Sequence, residues 1–589
     1  MPLPSGVPVP AVESQSRHAV PAIVAIALPV LIAFNVPPSA TLLNQLIALG
    51  GWGWLVAAYL AHTRGRASRP EGIGTLLAAL AAVGLGILAS PVLFGHPWGV
   101  SLAALGFVGV AALAAVAGAS ARHDDGGQAL FHAVGVALLL AGLVSVGIVV
   151  VQESGLSLGQ NGWIAPKAVA AQAAGNLRQP NQLSTLLVWS VIALVWLSDR
   201  SLPPSSSRWV RVVVPAVALV LLVTCIVLTV SRTGMVCIAV LGIWGWLDAS
   251  LSRRSRGLLI ASPAVYLVAW LVLQHVADAG LHAFEGGSRL HAADLSASRF
   301  SVWSQTLSLI AAHPWTGVGW GEFNFAWTLT PAAHRAHAFF DHAHNLPLQL
   351  WVELGLPLGT AVLALLALSL FRALQACRTA NLADRPQVRA AFVLVLVAAV
   401  HAMLEHPLWY AYFLLPVAFA LGYCLATAPA ASATGHAWRR GVALVAGGVA
   451  ALSAVTAFDY HRVSSLFDPQ SPLPFAQRVE QGRRSIFFGH YADYAAATTA
   501  RDPALVMAAF DRSTKVFLDE ALMIAWARAL DASGQTDKAR YLAARMKEFP
   551  HRPLLDRFFE PCGLPADGDK PSPFQCLPPE APVTLRSFR

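Results

Sequence analysis

The sequence predicts an all-α polytopic membrane bundle of about thirteen transmembrane helices, and three observations carry that prediction. Only 12% of the 589 residues are charged, whereas a soluble domain carries about 25%. The mean hydropathy is +0.57. Apolar runs of membrane-spanning length recur between residues 20 and 459. The net charge of +9 would point to nucleic acid only if the basic residues clustered on one face. They are scattered through short loops, which is the pattern of topology signals, so no nucleic-acid partner is expected.

The runs are 20–36, 41–61, 73–94, 99–119, 129–151, 183–198, 209–229, 234–249, 257–275, 346–371, 390–406, 409–428 and 441–459. The run 183–198 is short, and 346–371 is long enough to tilt or to begin outside the bilayer. Arginines set the orientation. Alternate loops hold Arg64, Arg66 and Arg69; Arg122; Arg200, Arg208 and Arg211; Arg253, Arg254 and Arg256; Arg372, Arg378, Arg385 and Arg389; and Arg439 and Arg440. Those loops are expected to be cytoplasmic. The opposite loops, 95–98, 152–182, 230–233, 276–345 and 407–408, contain only Lys167, Arg178, Arg232, Arg289, Arg299 and Arg335 as basic residues. The N-terminus is then inside and the tail after 460 outside. The first span reads as an uncleaved anchor.

Residues 1–150 read as an N-terminal transmembrane scaffold, because small residues let helices approach closely in lipid. Residues 151–460 hold the two sizeable outer loops, 152–182 and 276–345. A loop as long as the second has structure or function of its own. Within it, 299–312 has helical periodicity with Trp303, Leu307 and Ile310 on one face. Pro314 and the glycines at 317, 319 and 321 then break the helix. Residues 461–589 have the composition of a soluble helical domain with a Pro-rich end. There, 519–550 reads as two helices joined by Gly534, like a tetratricopeptide hairpin. Cys562 and Cys576 are disulfide candidates for an oxidising compartment. Cys225, Cys237, Cys377 and Cys424 lie in or beside spans and are expected to pack in the interior.

Ionisable side chains at membrane depth are costly and are functional candidates by default. "DHAHN" places Asp341, His342 and His344 directly before a long apolar run. A neutral imidazole with a pKa of about 6.5 can take a proton, and a neighbouring carboxylate can orient it. The triplet reads as a general base, as a helix start capped by Asp341 or Asn345, or as part of a metal site, for which the sequence offers no companion cluster. Arg232, between two closely connected spans, either binds phosphate oxygens in a forked contact or snorkels to the interface. Arg289 and Arg299 either face a headgroup or diphosphate or are ordinary surface arginines. "GNLRQPNQ" crowds Arg178, Gln179, Asn181 and Gln182 against the next span, either within protein or as a solvated loop turned at Pro180. In "HAMLEHPLWYAY", His401 and Glu405 are four apart, as on one helix face. His406, Tyr410 and Tyr412 follow, as site residues or as an interfacial belt. Cationic groups, a base and access to lipid suit a reaction whose leaving group is a lipid diphosphate.

"HAHNLPLQLWVELGLPLG", residues 342–359, with Arg299, Trp303 and "HPWTG" upstream, resembles the Wzy/WaaL superfamily of O-antigen ligases and polymerases. "GNLRQPNQ" and the helical tail look like its PglL-type O-linked oligosaccharyltransferase branch. The resemblance implies a GT-C-like inner-membrane enzyme with its site and tail in the periplasm. It implies en bloc transfer of a glycan from undecaprenyl diphosphate to Ser or Thr of a protein such as pilin, with no metal, nucleotide or other cofactor. His344 matches the essential histidine, with His342 as the rival base and Asp341 beside it. Arg232 and Arg299 match diphosphate-binding arginines. Gln179 or Gln182, and Tyr410 or Tyr412, match polar groups of that branch. Arg232, Arg299 and His344 are expected to converge. The alternatives are a ligase acting on lipid A core, a polymerase, or, in another class, a transporter of lipid-linked glycans.

Overall fold

The computed structural model describes residues 12–589 except 35, 63–69, 125, 156–161, 168–171, 201–206, 208, 281–283, 285–292, 334, 337, 428–434, 550–551 and 564–571. Arg64, Arg66, Arg69, Arg208 and Arg289 lie outside the described residues.

The first stretch of chain is α1 (Val12–Ala22), which runs through a π-helical turn at Ile23–Ala27 into α2 (Leu28–Leu31). Then come α3 (Leu42–His62), α4 (Gly74–Phe94), α5 (Trp98–His123), α6 (Gly127–Ser154), α7 (Pro180–Arg200), α8 (Val214–Leu228), α9 (Arg232–Leu247) and α10 (Arg253–Asp278). The middle holds α11 (Ala293–Ala312), α12 (Phe323–Leu329), α13 (Leu346–Thr379), α14 (Arg385–Ala402), α15 (Ala411–Leu425) and α16 (Gly435–Ser464). The tail adds α17 (Phe475–Arg483), α18 (Gly489–Thr499), α19 (Met507–Ser513), α20 (Glu520–Ala532), α21 (Thr536–Met546) and α22 (Pro553–Phe559). Among the described residues the only β-pairing is two isolated bridges. The all-α polytopic expectation holds.

Ten of these helices are long and apolar enough to cross a membrane, and three predicted spans are shorter apolar helices, Arg17–Leu31, Arg232–Leu247 and Ala411–Leu425. Each of the three has an identifiable local feature at one end. The first helix stops before the Pro37–Pro38 pair. The Ser231 side chain caps α9 by accepting from Gly234 N–H. Pro407 opens a 3-10 turn ahead of α15. The short apolar run 183–198 lies in the most enclosed span: 89% of its membrane window is buried, against 17% for α10. Surrounded by protein, α7 can carry buried Ser184, Thr185 and Ser190.

The chain divides into two compact units. The first comprises residues 1–78, 109–291 and 365–455; the second comprises 79–108, 292–364 and 456–589. In the first unit, α7 is pinned on two sides. Ser190 donates to Leu138 O of α6 (2.8 Å), and Trp189 Nε1 donates to Leu394 O of α14 (3.1 Å). Phe131 packs between Trp196 and Tyr423, with ring centroids 4.9 and 4.7 Å away. Cys225, Cys237, Cys377 and Cys424 are buried, as expected.

The second unit corrects the reading of 346–371 as one continuous run. Helix α13 is broken at Gly355 (φ 76°, ψ 168°). The turn at 314–319 satisfies the backbone groups that the break releases. Leu356 N–H donates to Pro314 O (2.7 Å), Val318 N–H to Val352 O (2.7 Å) and Gly319 N–H to Glu353 O (3.1 Å). A Cβ at Gly317 would lie 2.6 Å from the Glu353 carbonyl, so the crossing demands glycine.

The tail hairpin forms as expected, with Gly534 (φ 77°) between α20 and α21, and Cys562 and Cys576 are disulfide-bonded. Its core is shared with the loop that precedes α13. Phe325 and Trp327 of α12 are buried together with Leu522, Trp526, Met546 and Phe549. Leu518 N–H donates to Asn324 Oδ1 (2.7 Å), and Tyr541 OH donates to Leu329 O (2.7 Å). Arg335 is buried between the Trp327 and Phe549 rings and pairs with Glu548 at 2.6 Å.

Candidate functional site

The expected site residues fall into two groups, one in each unit.

The first group gathers around the start of α7. Gln179 Oε1 accepts from Gln182 N–H (2.6 Å) and caps the helix. Asn181 is a bridge: its Nδ2 donates to Glu405 Oε1 (3.1 Å) and its Oδ1 accepts from Ser231 Oγ (2.6 Å). Ser231 also meets Ser184 Oγ at 3.0 Å. Thus "GNLRQPNQ" is fastened to the residue immediately before Arg232. Arg232 is the first residue of α9, where the partial positive charge of the helix end adds to its own. A helix start plus a guanidinium suits a phosphate group. Tyr412 OH donates to Gln182 Oε1 (3.0 Å), and both residues are buried.

His401 and Glu405 do not share a helix face, contrary to the i,i+4 expectation. Helix α14 ends at Ala402, and Glu405 lies in the turn that follows, its N–H bonded to His401 O at 3.0 Å. His401 meets Thr185 Oγ1 at 2.9 Å inside the protein. His406 stacks on Tyr410 at 5.8 Å and lies 4.0 Å from Glu405. Arg178 adopts a left-handed backbone (φ 59°) and donates to Ala33 O and Ala40 O. Burial pushes its pKa down, and those carbonyls satisfy the guanidinium.

The second group surrounds residues 341–345. Asn345 Oδ1 accepts from Leu348 N–H (3.1 Å), so Asn345 caps α13 and the ionisable residues before it are not needed for that task. Asp341 sits 3.0 Å from His342 Nδ1, so the carboxylate partners His342. His344 is half-buried and meets the Phe340 ring edge-to-face at 5.5 Å. Its φ is +52°, a region that residues other than glycine seldom occupy. Arg299 and Trp303 are one turn apart on α11, and Trp303 Nε1 donates to Ala343 O at 2.9 Å. This brings the arginine's helix face to the residue beside His344. Arg289 lies outside the described residues.

Sequence reasoning did not single out Ser231, Ser184 and Thr185, whose hydroxyls mean little until α7, α9 and α14 are packed. It also missed a buried group in the second unit. His96 Nδ1 meets Glu322 Oε1 at 3.2 Å, and Gly321 N–H donates to Glu353 Oε1 at 3.0 Å. Glu322 and Glu353 are acidic residues within apolar surroundings, and that was the available signal.

Comparison with known proteins assigns stretches that coincide with these groups. Residues 217–364 match the family described as O-antigen ligase. Residues 173–197 match the family described as protein glycosylation ligase. Residues 389–553 match the C-terminal part of the virulence factor membrane-bound polymerase family. The chain is 28% identical over 264 residues to a general O-oligosaccharyltransferase of Acinetobacter baylyi, covering 43% of this chain and 44% of that protein. It is 24% identical over 285 residues to a ComP-specific O-oligosaccharyltransferase of the same organism, covering 48% and 49%. The match therefore spans about half the length of either relative. The O-antigen ligase stretch contains Arg232, Arg299, His342 and His344, and the protein glycosylation ligase stretch contains Gln179, Asn181 and Gln182. Over these stretches the chain is similar to the O-antigen ligase family, with a segment similar to the protein glycosylation ligase family just before it.

Proposed function

We propose that the protein transfers a preassembled glycan en bloc from undecaprenyl diphosphate to a Ser or Thr hydroxyl of a protein, pilin-like in kind, at the periplasmic face of the bacterial inner membrane. The observation that carries this reading is the protein glycosylation ligase segment at 173–197, in a chain whose relatives are named O-oligosaccharyltransferases. The disulfide in the tail supports a periplasmic tail, because such bonds persist in oxidising compartments.

In this mechanism a neutral imidazole takes the proton of the acceptor hydroxyl. The oxygen forms a bond to the anomeric carbon as the bond from that carbon to the diphosphate breaks. The electron pair leaves with undecaprenyl diphosphate. His344 is the assigned base. His342, paired with Asp341, is the rival. Arg232, at its helix start, and Arg299 neutralise the departing charge. Gln182 and Tyr412, bonded to each other, and Asn181 with Glu405, shape the wall on the acceptor or glycan side.

The test uses purified full-length protein, an undecaprenyl-diphosphate-linked glycan and a Ser-containing pilin, with EDTA and without nucleotide. The readout is the mass of the pilin. Wild type should add one glycan mass, and His344→Ala should lower the rate by roughly 100-fold or more, the range for loss of a general base. Full activity in His344→Ala together with loss in His342→Ala would transfer the role to His342. Transfer to lipid A core and not to pilin would make the protein an O-antigen ligase. Silence with both acceptors would defeat the proposal.

A further inference from the structure

His344 lies in a left-handed backbone conformation (φ 52°) that an unsupported histidine rarely holds. The structure supplies the support on both sides of the preceding residue. Ala343 is fully buried, and both of its backbone polar groups are taken by side chains. Trp303 Nε1 of α11 donates to Ala343 O at 2.9 Å. Gln349 Oε1 of α13 accepts from Ala343 N–H at 2.6 Å. On the far side, Asn345 is fixed into the start of α13, its carbonyl accepting from Gln349 N–H at 2.9 Å and its side chain from Leu348 N–H. His344 is therefore the one link between two immobilised peptide planes.

We propose that Trp303 and Gln349 are positioning residues, which clamp Ala343 from opposite sides and thereby set the direction of the His344 imidazole. The inference rests on the reading of His344 as the base. Gln349 has a structural reason to be rigid. It is 2% exposed, and Glu353, one turn further on, is held by Gly321 N–H at the break in α13. Trp303 sits on α11, one turn after Arg299. The clamp thus ties the histidine to the helix of one assigned arginine and to the broken helix that follows. A clamp of this kind acts on orientation, and misplacement of a reacting group by about 1 Å can cost on the order of 100-fold in rate. Neither Trp303 nor Gln349 has to touch substrate for this.

The test uses full-length protein and conservative variants. Trp303→Phe keeps the ring and removes the donor. Gln349→Met keeps the length and removes the acceptor. The first readout needs no turnover: the rate at which diethyl pyrocarbonate modifies His344, followed peptide by peptide by mass spectrometry. Trp303→Phe and Gln349→Met should change that rate at least about threefold, with the rate at the exposed His461 as the internal reference. Unchanged rates at His344 in folded variants would overturn the clamp. The second readout is glycan transfer. Both variants should lose roughly 10- to 100-fold in kcat with the KM for the lipid-linked donor within about twofold. The double variant should lose less than the product of the two singles. A KM effect alone, or multiplicative losses without a change at His344, would overturn it as well. An inactive wild type would strike the functional reading, and the modification rates would still decide the clamp.

Discussion

In the first unit Asn181 is held by side-chain bonds to Glu405 and Ser231, and Gln182 by Tyr412, all between helix ends that α7 brings together. In the second unit His344 is held through the backbone of its neighbour, by Trp303 and Gln349. The surrounding loop shares its core with the tail. The difference teaches where each group is vulnerable. Helices at membrane depth have no spare backbone donors, so polar side chains there must satisfy one another. A loop outside the helices has free peptide groups, and side chains that bind them fix its course.

Three changes would break or sharpen this contrast. The largest effect is expected from Arg335→Ala. Its guanidinium is buried, donates to Trp327 O and Thr330 O, and pairs with Glu548. Removing one partner of a buried pair costs about 3–5 kcal/mol. The tail and the 323–345 loop should loosen together, seen as faster limited proteolysis in both, while helices of the first unit keep their protection. Protection lost in the tail alone would mean that the shared core is not cooperative.

Asn181→Ala should cost less, about 1–3 kcal/mol, because it leaves Glu405 and Ser231 each short of one bond. Thermal unfolding of the detergent-solubilised protein measures it. Asn181→Asp would set a carboxylate against Glu405 and should be worse than Ala. Equal stability of Asn181→Ala and wild type would show that the first unit does not depend on this bridge.

The smallest effect is a pH dependence of the tail. Burial, with His96 adding to it, pushes the His490 pKa down to about 4 from 6.5. The unfolded chain therefore binds a proton that the folded chain refuses between about pH 6.5 and 4. This group's contribution is constant above that window, and stability falls as pH drops through it. The tail's unfolding temperature should decline over that range, and His490→Phe should flatten the decline. An unchanged slope in the variant would place the dependence on other groups.

Much of the molecule was legible in one dimension. Low charge and repeated continuous apolar runs specify a polytopic helical bundle, because a run of that length in lipid satisfies its own backbone as a helix. The tail hairpin was readable from helical periodicity around Gly534, and the cysteine pair from its pattern and the compartment expected for the tail. The candidate site residues were legible as residue types out of place. What could not be read was which of them meet. The i,i+4 pairing of His401 with Glu405 failed because α14 stops at Ala402. The carboxylate of Asp341 lies beside His342, its neighbour in the chain, a contact that residue type alone left open. The break in α13 depended on a turn some forty residues earlier in the chain that accepts its freed backbone groups. Sequence by itself determined which segments are helical and which residues are expensive to bury, because both follow from local chemistry and solvent. Only the tertiary structure decided the partners, the helix break and the clamp on Ala343, because each is a contact between distant segments whose geometry no local pattern encodes.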